Sequence, residues 1–320
     1  MVNEADAFLY PTDNGELLGL RRLESEALRR AVAAADDKNT DPKNIAGWAR
    51  RALEYRRKRF AAMEAAFAAY ERGNELNEGL ATYVQLAALG TTTMDFPVAE
   101  FPATAIRDRI YVTGPALARI LDRLSSGWQA SLEADDKQTL DGILEEAVAT
   151  RLAGKAPAVD LAPGEIAKIR SIALADAAAV VKSRAERRKA FDAQSGWRVV
   201  VRAAEGKPLW VKGFDPLNVA VVDGGLLHVR MLQLGNDAGE LQAIREARAP
   251  RLEMLTEAVA AHPLFNGVRS VTIVGFSEKP QIESKDRHVA VTAPGFTAKF
   301  KNATLTEKPN EVIVQLETAK

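Results

Sequence analysis

The feature that most constrains this chain is a change of sequence pattern near residue 195. Before that point, apolar residues recur at three- and four-residue spacing in segments rich in Ala, Leu, Arg and Glu. From Trp197 onward, short β-branched runs alternate with turn residues. The first pattern is typical of amphipathic helices and the second of strands. We therefore predict an α+β fold in two domains, a mostly helical domain over residues 1–194 and a β-rich domain over 195–320 that forms a β-sandwich or an open sheet.

The same patterns predict individual elements. Helices are expected at residues 17–31, 42–70, 77–90, 113–125, 139–153 and 163–190, the last of them opening with a proline that suits a first helical turn. Strands are expected at residues 198–202, 209–212, 217–222, 226–234, 268–274, 288–292, 297–300 and 312–316, with a short helix at 252–261.

Composition excludes several classes of protein. The chain has 320 residues, 43 basic and 43 acidic side chains and 47% hydrophobic residues, which excludes wholesale disorder. The balanced charge gives no electrostatic reason to expect nucleic acid as a partner. No apolar run approaches the roughly 20 residues that span a bilayer, so we expect no membrane span. The acidic N-terminus lacks the pattern of a signal peptide, which leaves the compartment unknown.

Scarce ligand residues limit the chemistry further. The absence of cysteine excludes disulfides, thiol catalysis and Cys-ligated zinc. The three histidines, His228, His262 and His288, lie far apart in the C-terminal third, so no helix can present two imidazoles one turn apart. We interpret His228 and His288 as structural. No serine-hydrolase elbow, P-loop or Rossmann glycine motif is present.

The most informative segment runs from Asn77 to Val84. Asn77 suits a helix N-cap, and Glu78 suits the helix dipole in a first turn. Gly79 costs about 1 kcal/mol in a helix relative to Ala, so its presence predicts that something packs closely on the backbone there. The alternative interpretation is a capped helix without a further role.

This segment, Asn77-Glu78-Gly79-Leu80-Ala81-x-Tyr83, resembles the N-E-G-[FLI]-A-x-Y segment of the gluzincin metallopeptidases, a family that includes aminopeptidase N. The resemblance implies zinc-dependent hydrolysis of a peptide or protein substrate. It also implies that Glu78 is the third zinc ligand, and that Gly79 permits the close approach of a neighbouring helix.

A second segment, Tyr111-Val112-Thr113-Gly114-Pro115-Ala116-Leu117, begins 33 residues after Glu78 and resembles the Y-x-x-G-x-x-[LVF] segment of the same family. The resemblance implies that Tyr111 is a catalytic residue that stabilises the oxyanion, a task for which a neutral phenol donor is suited. The alternative is that Tyr111 closes a strand and packs on a helix opening at Thr113.

The chain departs from the family at one essential point. The first two zinc ligands and the general base of a gluzincin come from H-E-x-x-H, and this sequence has no histidine before His228. Because such a zinc needs two imidazoles and a carboxylate, we expect the chain alone to bind zinc weakly or not at all and to be inactive. Either residues upstream of Met1 carry that segment or the metal site has been lost, and the abrupt start fits truncation better.

A rival interpretation is a non-catalytic binding or scaffold protein whose β domain recognises a protein or glycan partner. It depends on aromatic residues that could anchor a ligand, although most of them should be core. These residues are Trp197, Trp210, Phe214, Phe265 and Phe276.

Two charged groups of the helical half have alternative interpretations as well. Glu24 and Glu26 could line the same cleft, but a solvated helix face is favoured at this spacing. The basic run at residues 56–59 could clamp a substrate carboxylate. A helix exterior paired with Glu54 and Glu64 is the favoured interpretation.

Overall fold

The computed structural model describes residues 6–91, 101–153, 159–245, 251–259 and 264–318. Within these ranges the chain is α+β, as the sequence predicts, with helices first and two sheets of mostly antiparallel strands after them. The chain divides into two compact units, Met1–Val181 and Lys182–Lys320. We call them the helical unit and the β-rich unit and describe each by itself. The domain boundary between residues 194 and 195 stays a prediction.

Three of the described helices begin where the sequence supplies a capping side chain. Asn14, Asp41 and Thr139 each accept a backbone hydrogen bond at the start of a helix, which satisfies otherwise unpaired N–H groups. The helices are α1 (Asp6–Leu9), α2 (Gly15–Asp36), α3 (Pro42–Ala61), α4 (Ala65–Asn74), α5 (Leu80–Ala88), α6 (Ile106–Leu124), α7 (Gln129–Ala134), α8 (Leu140–Arg151) and α9 (Pro163–Asp192).

Three predicted helix boundaries were wrong. The helix predicted at residues 42–70 is interrupted between Ala61 and Ala65, so that α3 and α4 are separate. No helix begins at Asn77, because α4, a π-helical turn at Glu75–Gly79 and α5 follow one another without a break. Tyr111 lies inside α6 and closes no strand, since α6 begins at Ile106.

The core of the helical unit lies between α2, α3, α6 and α8. Leucine and isoleucine side chains fill it, and alanines such as Ala27, Ala49 and Ala116 allow the helices to approach closely. Each fully buried leucine or isoleucine contributes about 1.5 to 3 kcal/mol relative to exposure. The face that α2, α3 and α6 turn toward α4 differs from this core, because it is charged.

The β-rich unit contains two sheets among its described residues. Their strands are β1 (Trp197–Arg202), β2 (Trp210–Phe214), β3 (Val219–Val222), β4 (Gly225–His228), β5 (Met231–Asn236), β6 (Gly239–Ile244), β7 (Glu253–Ala258), β8 (Val268–Phe276), β9 (Gln281–Lys285), β10 (His288–Ala293), β11 (Phe296–Phe300), β12 (Ala303–Lys308) and β13 (Glu311–Leu316). The seven-stranded sheet has the order β12-β13-β1-β8-β7-β4-β3, and the six-stranded sheet has the order β2-β5-β6-β11-β10-β9. The pair β1–β13 is parallel.

Each sheet has one apolar face that packs toward the other sheet. In the seven-stranded sheet, Val199 pairs with Val312 and Ile273, and all three are buried. In the six-stranded sheet the alternation of β11, with Phe296, Ala298 and Phe300 buried and the residues between them exposed, defines a second apolar face. The rings of Phe276 in β8 and Phe296 in β11 lie 5.6 Å apart, so the two apolar faces contact each other there.

Several predicted elements of the β-rich unit were wrong. The helix predicted at 252–261 is the strand β7 where it is described, paired with β8 and β4, and His262 lies outside the described residues. The strand predicted at 226–234 is two strands in different sheets, β4 and β5. Strands β6, β9 and β12 were not predicted. Among the described residues, no helix combines the length and the apolar character needed to cross a membrane.

Candidate functional site

The structure brings Glu78 and Tyr111 together. The Tyr111 hydroxyl donates a hydrogen bond of 3.1 Å to Oε2 of Glu78, and Arg107 Nη2 donates one of 2.9 Å to Oε1. Glu78 lies in the π-helical turn, whereas Arg107 and Tyr111 lie one turn apart on α6. The side chains of Glu78 and Arg107 are 37% and 49% exposed, so the carboxylate lies at the surface of the helical unit.

Two glycines allow this contact. A Cβ atom added at Gly114 of α6 would lie 2.5 Å from the Gly79 Cα, and one added at Gly79 would lie 2.8 Å from the Gly114 Cα. Real Cβ atoms do not approach that closely, so the two backbones touch in a way that only glycine permits. The prediction that something packs closely on the Gly79 backbone is confirmed, and the neighbour is Gly114.

The π-helical turn separates an inner carboxylate from an outer one. Glu75, at the start of the turn, is buried, and its Oε1 accepts a 2.8 Å hydrogen bond from the Thr113 hydroxyl. Glu78, near its end, is at the surface. Because π-helical turns occur frequently at functional sites, the position of this one beside Glu78 agrees with a functional role for that side chain.

Behind the turn lies a set of fully buried charges, which we call the buried ionic cluster. Its carboxylates and guanidinium groups alternate, and each of its side chains is no more than 2% exposed. Arg and Glu side chains are almost never fully buried unless they are paired, so burial of a whole set of them requires a complete network of partners. The members are Glu24, Arg56, Arg59, Glu71, Glu75 and Arg109.

Every charge in the buried ionic cluster has an opposite partner. Glu24 accepts hydrogen bonds of 2.9 Å from Arg56, 2.7 Å from Arg59 and 2.9 Å from Arg109. Arg59 also binds Glu71 through two nitrogens. These bonds join α2, α3, α4 and α6 through one network of charge-assisted hydrogen bonds.

The network shifts the pKa values of its members. Burial by itself would raise the pKa of the Glu24 carboxyl, but Arg56, Arg59 and Arg109 outweigh burial and hold that pKa well below its usual range. The pKa of Glu71 is lowered in the same way, since Arg59 outweighs the effect of burial. The Tyr10 hydroxyl donates to Glu71, and burial together with that carboxylate raises the pKa of Tyr10. The carboxylates of Glu24 and Glu71 therefore remain acceptors at neutral pH.

The favoured interpretation of the basic run at residues 56–59 was wrong for two of its arginines. Arg56 and Arg59 point inward, because residues three apart share one face of a helix, whereas Arg57 is exposed and lies 3.6 Å from Glu145. Since buried carboxylates engage both inward guanidinium groups, they are not a clamp on an open cleft. The solvated-face interpretation of Glu24 was also wrong, because Glu24 is buried, whereas Glu26 pairs with Arg29 and Arg30.

The two described histidines belong to the β-rich unit. His228 is buried in β4, where its Nε2 lies 3.3 Å from the Thr256 hydroxyl and burial lowers its pKa from 6.5 to about 4. His288 is exposed at the start of β10. Both positions agree with structural histidines.

The residues around Glu78 do not fit a gluzincin zinc site. That site requires two imidazoles beside the carboxylate. The two oxygens of Glu78 are engaged by Arg107 and Tyr111, and the sequence places its three histidines at 228, 262 and 288. Within the described part of the chain, no group of three or more His, Cys, Asp or Glu side chains is arranged to hold a metal ion.

The aromatic residues proposed as anchors in the β-rich unit have different environments. Phe276 is buried in the core, and Phe214 packs against the Phe265 ring with centroids 5.9 Å apart. Trp197 lies beside Lys279, whose Nζ is 5.7 Å from the ring centroid. Trp210 is 48% exposed on β2, a far larger fraction than a core indole shows.

No protein-family model, no curated protein and no solved structure matches this chain. The geometry of the site therefore carries the functional argument.

Proposed function

We propose that the helical unit is a gluzincin-type metallopeptidase module in which Glu78 occupies the position of the metal-ligating carboxylate and Tyr111 that of the oxyanion-stabilising phenol. The module, as this chain, hydrolyses no peptide, because neither the imidazole pair nor the general base is among its residues. Its parent reaction is the hydrolysis of peptide bonds in a peptide or protein substrate.

One observation carries this proposal. Two segments that resemble family motifs in their order and approximate separation lie 33 residues apart, and the hydrogen bond of 3.1 Å joins the two side chains to which the family assigns chemistry. The Gly79–Gly114 contact supports it, since both glycines belong to those segments. If the sequence similarity of the two segments were accidental, there would be no reason to expect a hydrogen bond between these two side chains.

In the present chain, Arg107 supplies the positive charge beside Glu78. A guanidinium and a phenol hydroxyl satisfy the carboxylate as donors and hold it in one orientation. The ion pair is exposed, so its contribution to stability is small, about 0 to 1 kcal/mol. Its relevance is therefore to the orientation of Glu78.

The first experiment measures the chain as it is. After dialysis against a chelator-free buffer, we expect much less than one zinc per chain and no zinc-stimulated hydrolysis of peptide substrates. One tightly held zinc per chain, or zinc-dependent turnover, would contradict the proposed inactivity.

The second experiment tests the orientation of Glu78. The double variant Thr82→His and Arg107→His places two imidazoles beside Glu78, because Thr82 lies one helical turn beyond it and Arg107 already contacts it. We expect this variant to bind one Co²⁺ with the visible absorption of tetrahedral coordination. Adding Glu78→Gln should abolish that spectrum, whereas adding Glu145→Gln, at another exposed carboxylate paired with an arginine, should leave it unchanged.

If the spectrum survives Glu78→Gln, or if no spectrum forms although the variant is folded, Glu78 is not oriented for a cation. The module proposal then fails.

The second candidate function is recognition of a partner by the β-rich unit. One observation favours it, the exposure of the Trp210 indole on a sheet face. We also infer that the β-rich unit is a β-sandwich, an inference supported by one apolar face in each sheet and by the ring contact between Phe276 and Phe296. A sandwich leaves the outer face of the six-stranded sheet open for such recognition, whereas Leu227 and Leu255 on the outer face of the seven-stranded sheet are buried with Phe191 of α9.

A further inference from the structure

We propose that the outer face of the six-stranded sheet binds an acidic polysaccharide, with Trp210 as its stacking platform. This inference makes the second candidate function specific and rests on it. It uses residues of the β-rich unit alone, so it is independent of the peptidase proposal.

The pairing of the strands defines the outer face. Residues paired across neighbouring strands point to the same side of a sheet. One row crosses all six strands and joins Trp210, Gly235, Glu240, Lys299, Ala290 and Glu283. The next row on the same side, two residues along on every strand except β2, where a bulge makes the step three, joins Gly213, Gln233, Gln242, Thr297, Thr292 and Gln281.

Trp210 presents a half-exposed ring on this face. It lies on β2, an edge strand of the six-stranded sheet as far as the chain is described, although the preceding residue, Leu209, pairs with Val268 of β8. Its partner on β5 is Gly235, which has no side chain to cover the indole. A large flat apolar surface held on a rigid strand is suited to stacking against the C–H face of a sugar ring.

Two adjoining cavities extend the surface beside Trp210. The first has a volume of about 580 Å³ and is lined by Trp210, Lys207 and Lys212 among others. The second has a volume of about 540 Å³ and is lined by Lys285, Lys299 and His288 among others. Both include the turn between β5 and β6 and Lys301, so they form one groove around that turn. A groove of this kind accommodates an extended chain better than one compact molecule.

The groove is positively charged. Its lysines are Lys207, Lys212, Lys285, Lys299 and Lys301. Its carboxylates are fewer, Asp237, Glu283 and Glu317, and the last of these is paired with Arg287. None of the five ammonium groups makes an ion pair with a residue that the structure describes. In a chain whose net charge is zero, this excess favours an anionic ligand.

The second row of the outer face, which runs from Gly213 to Gln281, carries no charge, and its side chains indicate which kind of anionic ligand fits this surface. Three glutamines and two threonines there present amide and hydroxyl groups, which donate to and accept from sugar hydroxyls. A single-stranded nucleic acid would instead require successive aromatic side chains for its bases. Besides the imidazole of His288, Trp210 is the one exposed aromatic side chain among the residues that line the groove, and the two lie in different cavities. The surface therefore fits a chain with repeated hydroxyl and carboxylate groups.

The test is isothermal titration of the full chain with a short oligogalacturonate as the probe. Trp210→Ala should weaken binding about tenfold, since aromatic stacking is lost, and Trp210→Phe should restore part of the affinity. The double variant Lys212→Ala and Lys301→Ala should weaken binding and flatten its dependence on salt. Two exposed positions outside the groove, Leu217→Ala and Lys308→Ala, serve as matched controls and should change nothing.

Each other outcome overturns part or all of the inference. If the wild-type chain binds the oligogalacturonate but Trp210→Ala and the lysine variant bind it equally well, recognition is retained and the site is wrong. Tighter binding of a neutral glucan oligosaccharide, or of a single-stranded oligonucleotide, would refute the ligand class. If the wild-type chain binds none of these probes, both the proposed binding site and the proposed ligand class are refuted, while the peptidase proposal is unaffected.

Discussion

Arg56 and Glu75 form a two-point ion pair in the interior of the helical unit. The Nη1 and Nη2 atoms of Arg56 donate hydrogen bonds of 2.8 and 2.6 Å to the two carboxylate oxygens of Glu75, and both side chains are buried. The pair joins α3 to the first residue of the π-helical turn. The guanidinium group thus fixes the first residue of the turn that carries Glu78.

Removal of Arg56 should be costly. Arg56→Ala leaves Glu24 and Glu75 buried without one of their partners, and breaking a buried ion pair from one side costs about 3 to 5 kcal/mol. Arg57→Ala, one position along, should change the free energy of unfolding by less than about 1 kcal/mol, because Arg57 is 61% exposed. Urea denaturation of the two variants measures the difference. Equal effects would show that the buried ionic cluster contributes no specific stability.

Acid should destabilise the helical unit. The pKa values of Glu24, Glu71 and Asp141 are lowered in the folded chain, because arginine partners outweigh the effect of burial. Their stabilising contribution is therefore complete above the unfolded-state pKa values, near 4.5 for Glu and 3.8 for Asp, and is lost as the pH falls through the folded values. We expect the free energy of unfolding, followed by the helical circular dichroism signal, to fall below about pH 4.5.

Two variants check the origin of this acid sensitivity. Asp141→Asn removes one titrating group and should flatten the decline. Glu145→Gln removes an exposed carboxylate and should leave the decline as it is. A helical unit equally stable at pH 6 and at about pH 3 would contradict the assignment.

Protonation of His228 should lower the stability of the β-rich unit at a higher pH than that at which the carboxylates of the helical unit titrate. Burial lowers its pKa to about 4 from the ordinary 6.5, so the unfolded chain binds more protons between these values. Stability should fall by about 3 kcal/mol as the pH decreases from 6.5 to below 4. Hydrogen exchange of the amides in β4 and β7 measures this locally. His228→Gln should remove most of the change, whereas His288→Gln, at an exposed position, should not.

The Gly79–Gly114 crossing should not tolerate a methyl group. Gly114→Ala places a Cβ atom 2.5 Å from the Gly79 Cα, so α6 must move away from the π-helical turn, at a cost of about 1 to 3 kcal/mol. Gly164→Ala, in the first turn of α9 with nothing within 4 Å of the added atom, should be neutral or stabilise by up to about 1 kcal/mol. Thermal unfolding compares the two. A neutral Gly114→Ala would show that the close contact is not required.

The sequence predicted elements best where local signals and tertiary contacts agree. Helix α8 and the long helix α9 were predicted to within a few residues, because Thr139 and Pro163 mark their starts. The strand at 253–258 was missed since its residues, Glu, Met, Leu, Thr, Glu and Ala, include strong helix formers. Pairing with β4 and β8 on both sides overrides that preference.

The candidate site could be predicted in part. The proximity of Glu78 and Tyr111 was implied by the resemblance and not by helix periodicity, because the two residues lie on separate helices. Arg107 was missed, although its position four residues before Tyr111 places both on one face of a helix. The buried ionic cluster was missed because a run of basic residues is typical of a solvent-exposed helix face. The three-residue spacing of Arg56 and Arg59 was the available signal, since it places the two side chains on one face of the helix.

The π-helical turn accommodates one residue more than an α-helical turn of the same height. Deleting one residue from Glu75–Gly79 would restore α-helical geometry there, so the residues inside the turn would change their positions relative to α6 while the helix beyond keeps its orientation. Glu78 and Gly79 would then leave the face they share with α6. A relative that keeps the same arrangement must keep this insertion, so a single-residue gap in an alignment at this point would mark a chain in which the site has been dismantled.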